Sequence, residues 1–292
     1  MKHSTFKGIT RLATVFAAGV LIAGLAAPVF AGQTAKEPRQ PSQGFTFEGP
    51  FGRHNQEQLQ RGFKVWREVC SSCHSMNLVH FRDLGTDGGP FWDPKYPNPN
   101  DNPRVKALAA MYQVSDIDTT TGDAIKRPGI PADAFPAPYA NDLVAAGANG
   151  GAAPPDHSTI AKAREGGARY IYSLIAFGYE PAPAGLKKTA AQNYNSYMPG
   201  DLSGFWSGKG PVPPGSFIAM PPPLKAGQVT FDDGTKSTLP QEAADVAAFL
   251  DWASDPHSED RKEVGLGALA FLIILSGLTF FSYKRIWRNV SH

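Results

Sequence analysis

Residues 70–74 read Cys70-Ser71-Ser72-Cys73-His74, and they hold the only two cysteines among the 292 residues of the chain. C-x-x-C-H is the attachment spacing of c-type haem: each thiol adds across one vinyl group of the porphyrin, while the adjoining imidazole binds iron from one side. Positions three and four apart share a face of a helical turn, so Cys70, Cys73 and His74 can address one macrocycle together. The same five residues have blander readings: a disulfide, a redox pair, or half of a zinc site. A zinc site needs a second ligand pair at regular spacing, and the sequence has none. A redox C-x-x-C belongs in a βαβ pattern, which is absent around residue 70. With no second C-x-x-C-H in the chain, the expectation is one covalently bound haem c.

Working outward, Glu57–Val69 carries Leu59, Phe63 and Trp66 at helical spacing, with Gly62 leaving room for close packing. This predicts a helix whose last turn delivers Cys70. A second helix is predicted over Gln241–Ala253, after Pro240, with Val246, Phe249, Leu250 and Trp252 as its apolar set. A third is predicted over Ala161–Phe177. Between them, Gly85–Arg104 contains five prolines, and Pro181–Gly215 is similarly rich in loop formers. Such stretches do not pack by themselves and are expected as surface excursions. The fold class expected is mainly α with long irregular loops.

The two ends set the compartment. Residues 1–31 have the pattern of an export signal: Lys2, Lys7 and Arg11, then the apolar Leu12–Ala27, then small residues at Val29-Phe30-Ala31. Near the other end, Val264–Tyr283 has no charged residue. Twenty residues rising 1.5 Å each span about 30 Å, the thickness of a bilayer core. Lys284, Arg285 and Arg288 follow with no acid after them, which places the tail, residues 284–292, on the cytoplasmic side. The expectation is an exported domain, residues 32–263, on a single C-terminal transmembrane helix, residues 264–283. Removing the three basic residues at each end leaves 22 Lys+Arg against 26 Asp+Glu, a net of −4 for that domain. Acids thicken late in it, at Asp232, Asp233, Glu242, Asp245, Asp251, Asp255, Glu259 and Asp260. They form either a docking face for a basic partner or an ordinary solvated surface.

Iron held by His74 needs a second axial ligand or an open position. Met76 lies too close to His74 to reach the opposite face, and Met111 sits in an apolar helical stretch that suggests a core role. Met198 precedes Pro-Gly in a polar loop and stays possible. Met220 is favoured: Phe217-Ile218-Ala219 can exclude water, and Pro221-Pro222-Pro223 stiffens the strap that carries the sulfur. Met/His ligation raises the potential and suits an electron carrier. His54, His80, His157, His257 and His292 are lone histidines in polar contexts, read as surface or hydrogen-bonding residues rather than ligands.

Several segments, in order, carry a family resemblance: Arg61-Gly62-Phe63-Lys64-Val65-Trp66 through Cys70–Met76, Arg127-Pro128-Gly129, Ala152-Ala153-Pro154-Pro155-Asp156, and Ala163-Arg164-Glu165-Gly166-Gly167. Ala219-Met220-Pro221-Pro222, Phe231-Asp232-Asp233-Gly234-Thr235 and Trp252-Ala253-Ser254-Asp255-Pro256 continue it. From about Gln60 to the tail, the chain resembles bacterial cytochrome c1, the haem subunit of quinol–cytochrome c oxidoreductase, the bc1 complex. The resemblance implies a cytochrome c-like haem domain, with first and last helices crossing beside the haem. Cys70 and Cys73 would hold the haem, and His74 and Met220 would be its axial ligands. Arg164 matches an arginine near a haem propionate, Tyr139 and Tyr170 match pocket aromatics, and Pro155 matches a proline on the His74 side.

The implied role is relay of single electrons from a Rieske iron–sulfur subunit to a soluble cytochrome c, non-catalytic by itself. Cytochrome b is the other implied neighbour, in a dimeric complex of a bacterial inner (cytoplasmic) membrane with the haem domain in the periplasm. Two departures stand out. Ala146-Gly147-Ala148-Asn149-Gly150-Gly151 lacks the arginine that family members often carry there, and the 181–215 excursion lacks the extra cysteine pair of some bacterial members. The competing readings are a tethered cytochrome c serving a terminal oxidase, and a haem enzyme with an open iron site.

Overall fold

The computed structural model describes residues 35–187 and 192–290; the expected export signal and His292 lie outside the described residues. Among the described residues the architecture is mainly helical, with two small two-stranded antiparallel sheets and long loops. Helix α1 covers Gln56–Glu68. Asn55 caps it by accepting a hydrogen bond from the Gln58 N–H at 2.8 Å, and Glu57 in its first turn complements the helix dipole. Of its five buried residues, Leu59, Gly62, Phe63 and Trp66 recur at intervals of three and four, so one face turns inward, and Val65 widens that face.

Helix α2 (Pro103–Ala110) begins on a proline behind the Asn102 cap. It buries Val105 and Ala109, whereas Met111 just beyond its end is 68% exposed, so the core role expected for that residue is not the one it has. The hairpin that follows, β1 (Gln113–Ile117) with β2 (Ala124–Pro128), pairs Val114 with Arg127 and Asp116 with Ile125. Polar alternation hid this hairpin in the sequence. It is held from the side by Arg127, which donates to Asp116 at 2.5 Å and to Asp133 at 2.6 Å.

Helix α3 is Asp142–Ala148 and helix α4 is Gly167–Ala176. The helix expected to start at Ala161 starts six residues later. The reason is local: Gly166 and Gly167 have φ of +83° and +52°, a left-handed passage that a continuing α-helix cannot contain. A short pair, β3 (Asn193–Asn195) and β4 (Ser216–Ile218), closes the 181–215 excursion, with Tyr194 opposite Phe217.

Helix α5 (Leu239–Ser254) is capped by Thr238 and is buried along most of its length. It crosses α1 and also packs against α4. At the crossing, Phe63 and Phe249 meet edge to face with centroids 5.6 Å apart, and Trp66 packs edge to face on Phe135 at 5.1 Å. Burying a side chain such as Phe63 or Phe249 contributes roughly 1.5–3 kcal/mol relative to leaving it exposed. Backbones approach closest at Gly62, where a Cβ would lie 2.0 Å from the Asp245 carbonyl oxygen. Arg61 beside it donates to the buried Asp245 carboxylate at 2.8 Å and to Asp233 at 2.7 Å.

The late acids are therefore not one solvated face. Glu242 and Asp245 are fully buried, Asp233 pairs with Arg61, Asp232 pairs with Lys64, and Asp255 accepts from Lys162 and Arg261.

After Asp255-Pro256-His257 the chain enters α6, Ser258–Trp287, thirty residues long and exposed along its apolar run. It is long and apolar enough to cross a membrane. Glu259 and Asp260 occupy its first turn and Lys284 and Arg285 its last, each complementing the helix dipole.

Gly62→Ala should lower the midpoint of chemical unfolding, followed by far-UV circular dichroism, as expected from a loss of roughly 1–3 kcal/mol of unfolding free energy to overpacking. In a free helix the same change would stabilise by about 1 kcal/mol, so an unchanged or raised midpoint would show that the crossing is not close-packed.

Candidate haem site

Helix α1 ends at Glu68, and the chain tightens into a 3₁₀ turn over Cys70–Ser72. The Cys73 and His74 N–H groups both donate to the Cys70 carbonyl, at 3.1 and 2.9 Å. Ser71 and Ser72 bond back to the carbonyls of Arg67 and Val69, at 2.7 and 2.8 Å, satisfying groups that the helix end leaves open. Both cysteines are free thiols rather than a disulfide. Burial and then the neighbouring Cys73 push the Cys70 thiol up to about 12.

His74 is fixed by a segment eighty residues away. Its Nδ1 lies 2.8 Å from the Pro155 carbonyl oxygen. A carbonyl only accepts, so Nδ1 carries the proton and the Nε2 lone pair is left for a metal. Burial lowers the pKa of His74, with the Pro155 contact pulling the other way, and the neutral ring is the form that ligates.

The 155–158 segment is itself laced to 75–78. Asp156 accepts from the Ser75 hydroxyl (2.7 Å) and from the N–H groups of Asn77 (2.9 Å) and Ser158 (2.7 Å). The Leu78 N–H donates to the Ser158 hydroxyl, and the His157 N–H donates to the Ser75 carbonyl, at 2.9 and 2.8 Å.

His157 is a member of the site that sequence reasoning missed. Its ring stacks on His74 with centroids 3.9 Å apart and planes 17° from parallel. The Trp66 indole N–H of α1 donates to its Nδ1 at 3.2 Å. Burial, then the adjacent His74, lower the pKa of His157 well below the usual range, so two neutral rings stack without repulsion. Its only signal in the sequence is its place directly after Pro154-Pro155-Asp156.

The remaining expected residues sit on other segments. Met220 is half-buried just beyond β4, and its backbone carbonyl accepts from the Tyr179 hydroxyl at 3.1 Å and from Asn193 at 3.3 Å. Those two donors, also missed in the sequence, pin the strap ahead of its prolines. Met198 is engaged otherwise: the Tyr170 hydroxyl donates to its sulfur at 3.5 Å. The Tyr139 hydroxyl accepts from Asn149 at the end of α3, at 3.2 Å. Arg164 is exposed and donates to the Ala163 carbonyl at 3.0 Å. Cys70, Cys73, His74 and Pro155 thus form one cluster, while Met220, Tyr139, Tyr170 and Arg164 are each held by partners of their own.

Two free thiols three residues apart, beside an imidazole whose Nε2 is kept open by a carbonyl, are a donor set that fits c-type haem. Among the described residues no group of three or more His, Cys, Asp or Glu gathers to hold a metal ion in the manner of a zinc site. The class defined is a c-type cytochrome domain attached to an apolar helix.

The model of the Cytochrome C1 family matches residues 45–290. Cytochrome c1 of Rhodospirillum rubrum is 39% identical over 97% of this chain and 99% of its own length. A cytochrome b/c1 of Bradyrhizobium diazoefficiens is 37% identical over 94% of this chain, which spans only 39% of that longer protein. The mitochondrial cytochrome c1 haem protein of Kluyveromyces lactis is 36% identical over 86% of this chain and 77% of its own. This chain belongs to the cytochrome c1 family, and haem c is the cofactor that family membership implies.

Burial pushes the Asp156 carboxyl up, but hydrogen bonds from Ser158, Asn77 and Ser75 outweigh it and hold the pKa below the ordinary value. A depressed carboxylate contributes stability above its unfolded pKa of about 3.9 and loses it as pH falls through the folded value. Asp156→Asn should therefore flatten the fall in unfolding free energy below about pH 4 and cost roughly 1–3 kcal/mol at neutral pH. An acid titration with the native slope in the variant would contradict this account of the lacing.

Proposed function

We propose that this chain relays single electrons from a Rieske iron–sulfur protein to a soluble cytochrome c, as the membrane-anchored haem subunit of a ubiquinol–cytochrome c reductase. The observation that carries the reading is the Pro155 carbonyl on His74 Nδ1, within a C-x-x-C-H turn of a cytochrome c1 family chain. Bound haem c supplies a one-electron iron couple whose potential follows its axial ligands and their surroundings.

In this reading Cys70 and Cys73 fasten one haem covalently. His74 Nε2 and the Met220 sulfur would hold its iron. The Pro155 carbonyl and the His157 ring hold the His74 plane, and Tyr179 and Asn193 hold the Met220 strap. Arg164, exposed and cationic, is suited to a propionate; Tyr139 and Tyr170 are assigned to the pocket wall. No bond of an organic substrate is made or broken, so the chain is non-catalytic by itself.

The domain assignment follows: an export signal over residues 1–31, a periplasmic haem domain over 32–263, an anchor over 264–283, and a cytoplasmic tail. The basic tail supports this orientation in a bacterial inner membrane. Cytochrome b and the Rieske protein are the partners in the membrane, in a dimeric assembly.

Two measurements test the reading. Met220→Ala should abolish the iron(III)–sulfur charge-transfer band and lower the midpoint potential, whereas Met198→Ala should leave both in place; the opposite pattern would move the ligand to Met198. The tagged chain, purified in mild detergent, should bring a b-type cytochrome and a Rieske protein with it. Full haem loading without either would favour a tethered carrier that serves an oxidase directly.

A further inference from the structure

Phe51 stands at the tip of the loop ahead of α1 with 76% of its surface exposed. Nothing about that exposure is slack. Gly52 closes the turn so tightly that a Cβ there would lie 2.2 Å from the Glu48 carbonyl oxygen. The Lys262 ammonium of α6 donates to the carbonyls of Phe47 and Gly52, at 2.7 and 2.8 Å. The His54 N–H donates to Glu259 at 2.7 Å, and the buried His54 ring stacks on Phe47 with centroids 4.4 Å apart. The loop is thus bolted to the first turns of α6, with Phe47 buried beneath it and Phe51 left open to solvent.

Its depth follows from α6. Phe51, Arg53, Glu263 and Leu266 share a cleft of about 150 Å³ between the loop and that helix. Leu266 lies two residues past Val264, where the uncharged run begins, which at 1.5 Å per residue is about 3 Å into that run. A loop that shares a cleft with Leu266 reaches the level where headgroups give way to acyl chains. An exposed aromatic ring is favoured at that boundary.

The charges beside it are balanced and partly open. Arg53 lies 3.7 Å from Glu259 and 3.6 Å from Glu263, and the side chains of Arg53 and Glu263 remain 64% and 76% exposed. A cation and an acid side by side, both still largely open to solvent, match the phosphate and ammonium of a zwitterionic headgroup.

We propose that the 47–53 loop is a foot of the haem domain that rests in the bilayer, with Phe51 at the acyl boundary and a zwitterionic phospholipid headgroup against the solvent-open sides of Arg53 and Glu263. The occupant is lipid because the cleft is continuous with the apolar surface of α6, the element that enters the membrane. Two contacts with the bilayer, helix and foot, fix the tilt of the domain; one helix alone would leave it free to swing.

The test places photoactivatable p-benzoylphenylalanine at position 51 of the full chain in native membranes. Position 273, exposed midway along α6 and outside the cleft, serves as a membrane-depth control and position 117, exposed on the hairpin, as a water-facing one. Irradiation should add the mass of one phospholipid to the peptide carrying residue 51, as at 273 and not at 117. A covalent link from residue 51 to another polypeptide would overturn the proposal, and so would a lipid yield no greater than at 117. The haem absorption spectrum, unchanged in the variant, reports that the domain is folded.

Discussion

Helices α1 and α5 can lie against each other only because residue 62 has no side chain, and the placement of the site follows from that contact. Helix α1 ends in the turn that carries Cys70, Cys73 and His74, so any rotation or lift of α1 on α5 would move all three together. The approach has an electrostatic counterpart. Asp245, fully buried on α5, is pushed up by desolvation and pulled back by Arg61 and Gln241, which donate to it at 2.8 and 2.9 Å. Removing one partner from such a buried pair typically costs about 3–5 kcal/mol, because the other charge is left stranded. The Arg61–Asp245 pair therefore helps specify the register of the crossing while the aromatic rings around Phe249 supply its burial.

On that platform the site is assembled from loops, as binding sites on rigid scaffolds commonly are. The 155–158 segment has no regular structure of its own, yet it sets the tautomer of His74 through Pro155 and the plane of its ring through His157. Asp156 between them satisfies three donors of neighbouring chain, so the segment has little freedom to drift. Trp66 ties the arrangement back to α1. The His74 ring is thus held by the Pro155 carbonyl and by the His157 ring, so its orientation is set by the protein alone.

Charge is distributed in the same spirit. Carboxylates that look like a solvated run along the late sequence are mostly spent internally: on Arg61, on Lys64, on the Lys162 and Arg261 pair, and on the buried interior of α5. At the junction with α6, the pairing of acids and bases joins the domain to that helix.

The chemistry of the site was legible in the linear chain because it is local. C-x-x-C-H places its donors within one turn, an uncharged run of twenty residues is long enough for a bilayer, and an apolar stripe at Leu59, Phe63 and Trp66 marks the inward face of α1. The crossing of first and last helices was anticipated by likeness to a family, and Gly62 hinted at where it closes. Tertiary structure alone decided the rest, because those interactions join residues whose separation along the chain carries no periodic signal. His157 looked like any polar histidine until the fold laid it on His74, and Tyr179 and Asn193 had no visible link to Met220. Met111 kept the pattern of a core residue but fell past the end of its helix. A sequence records what each residue can do; which partner it meets depends on how separate elements pack, and that is settled only when the backbone closes on itself.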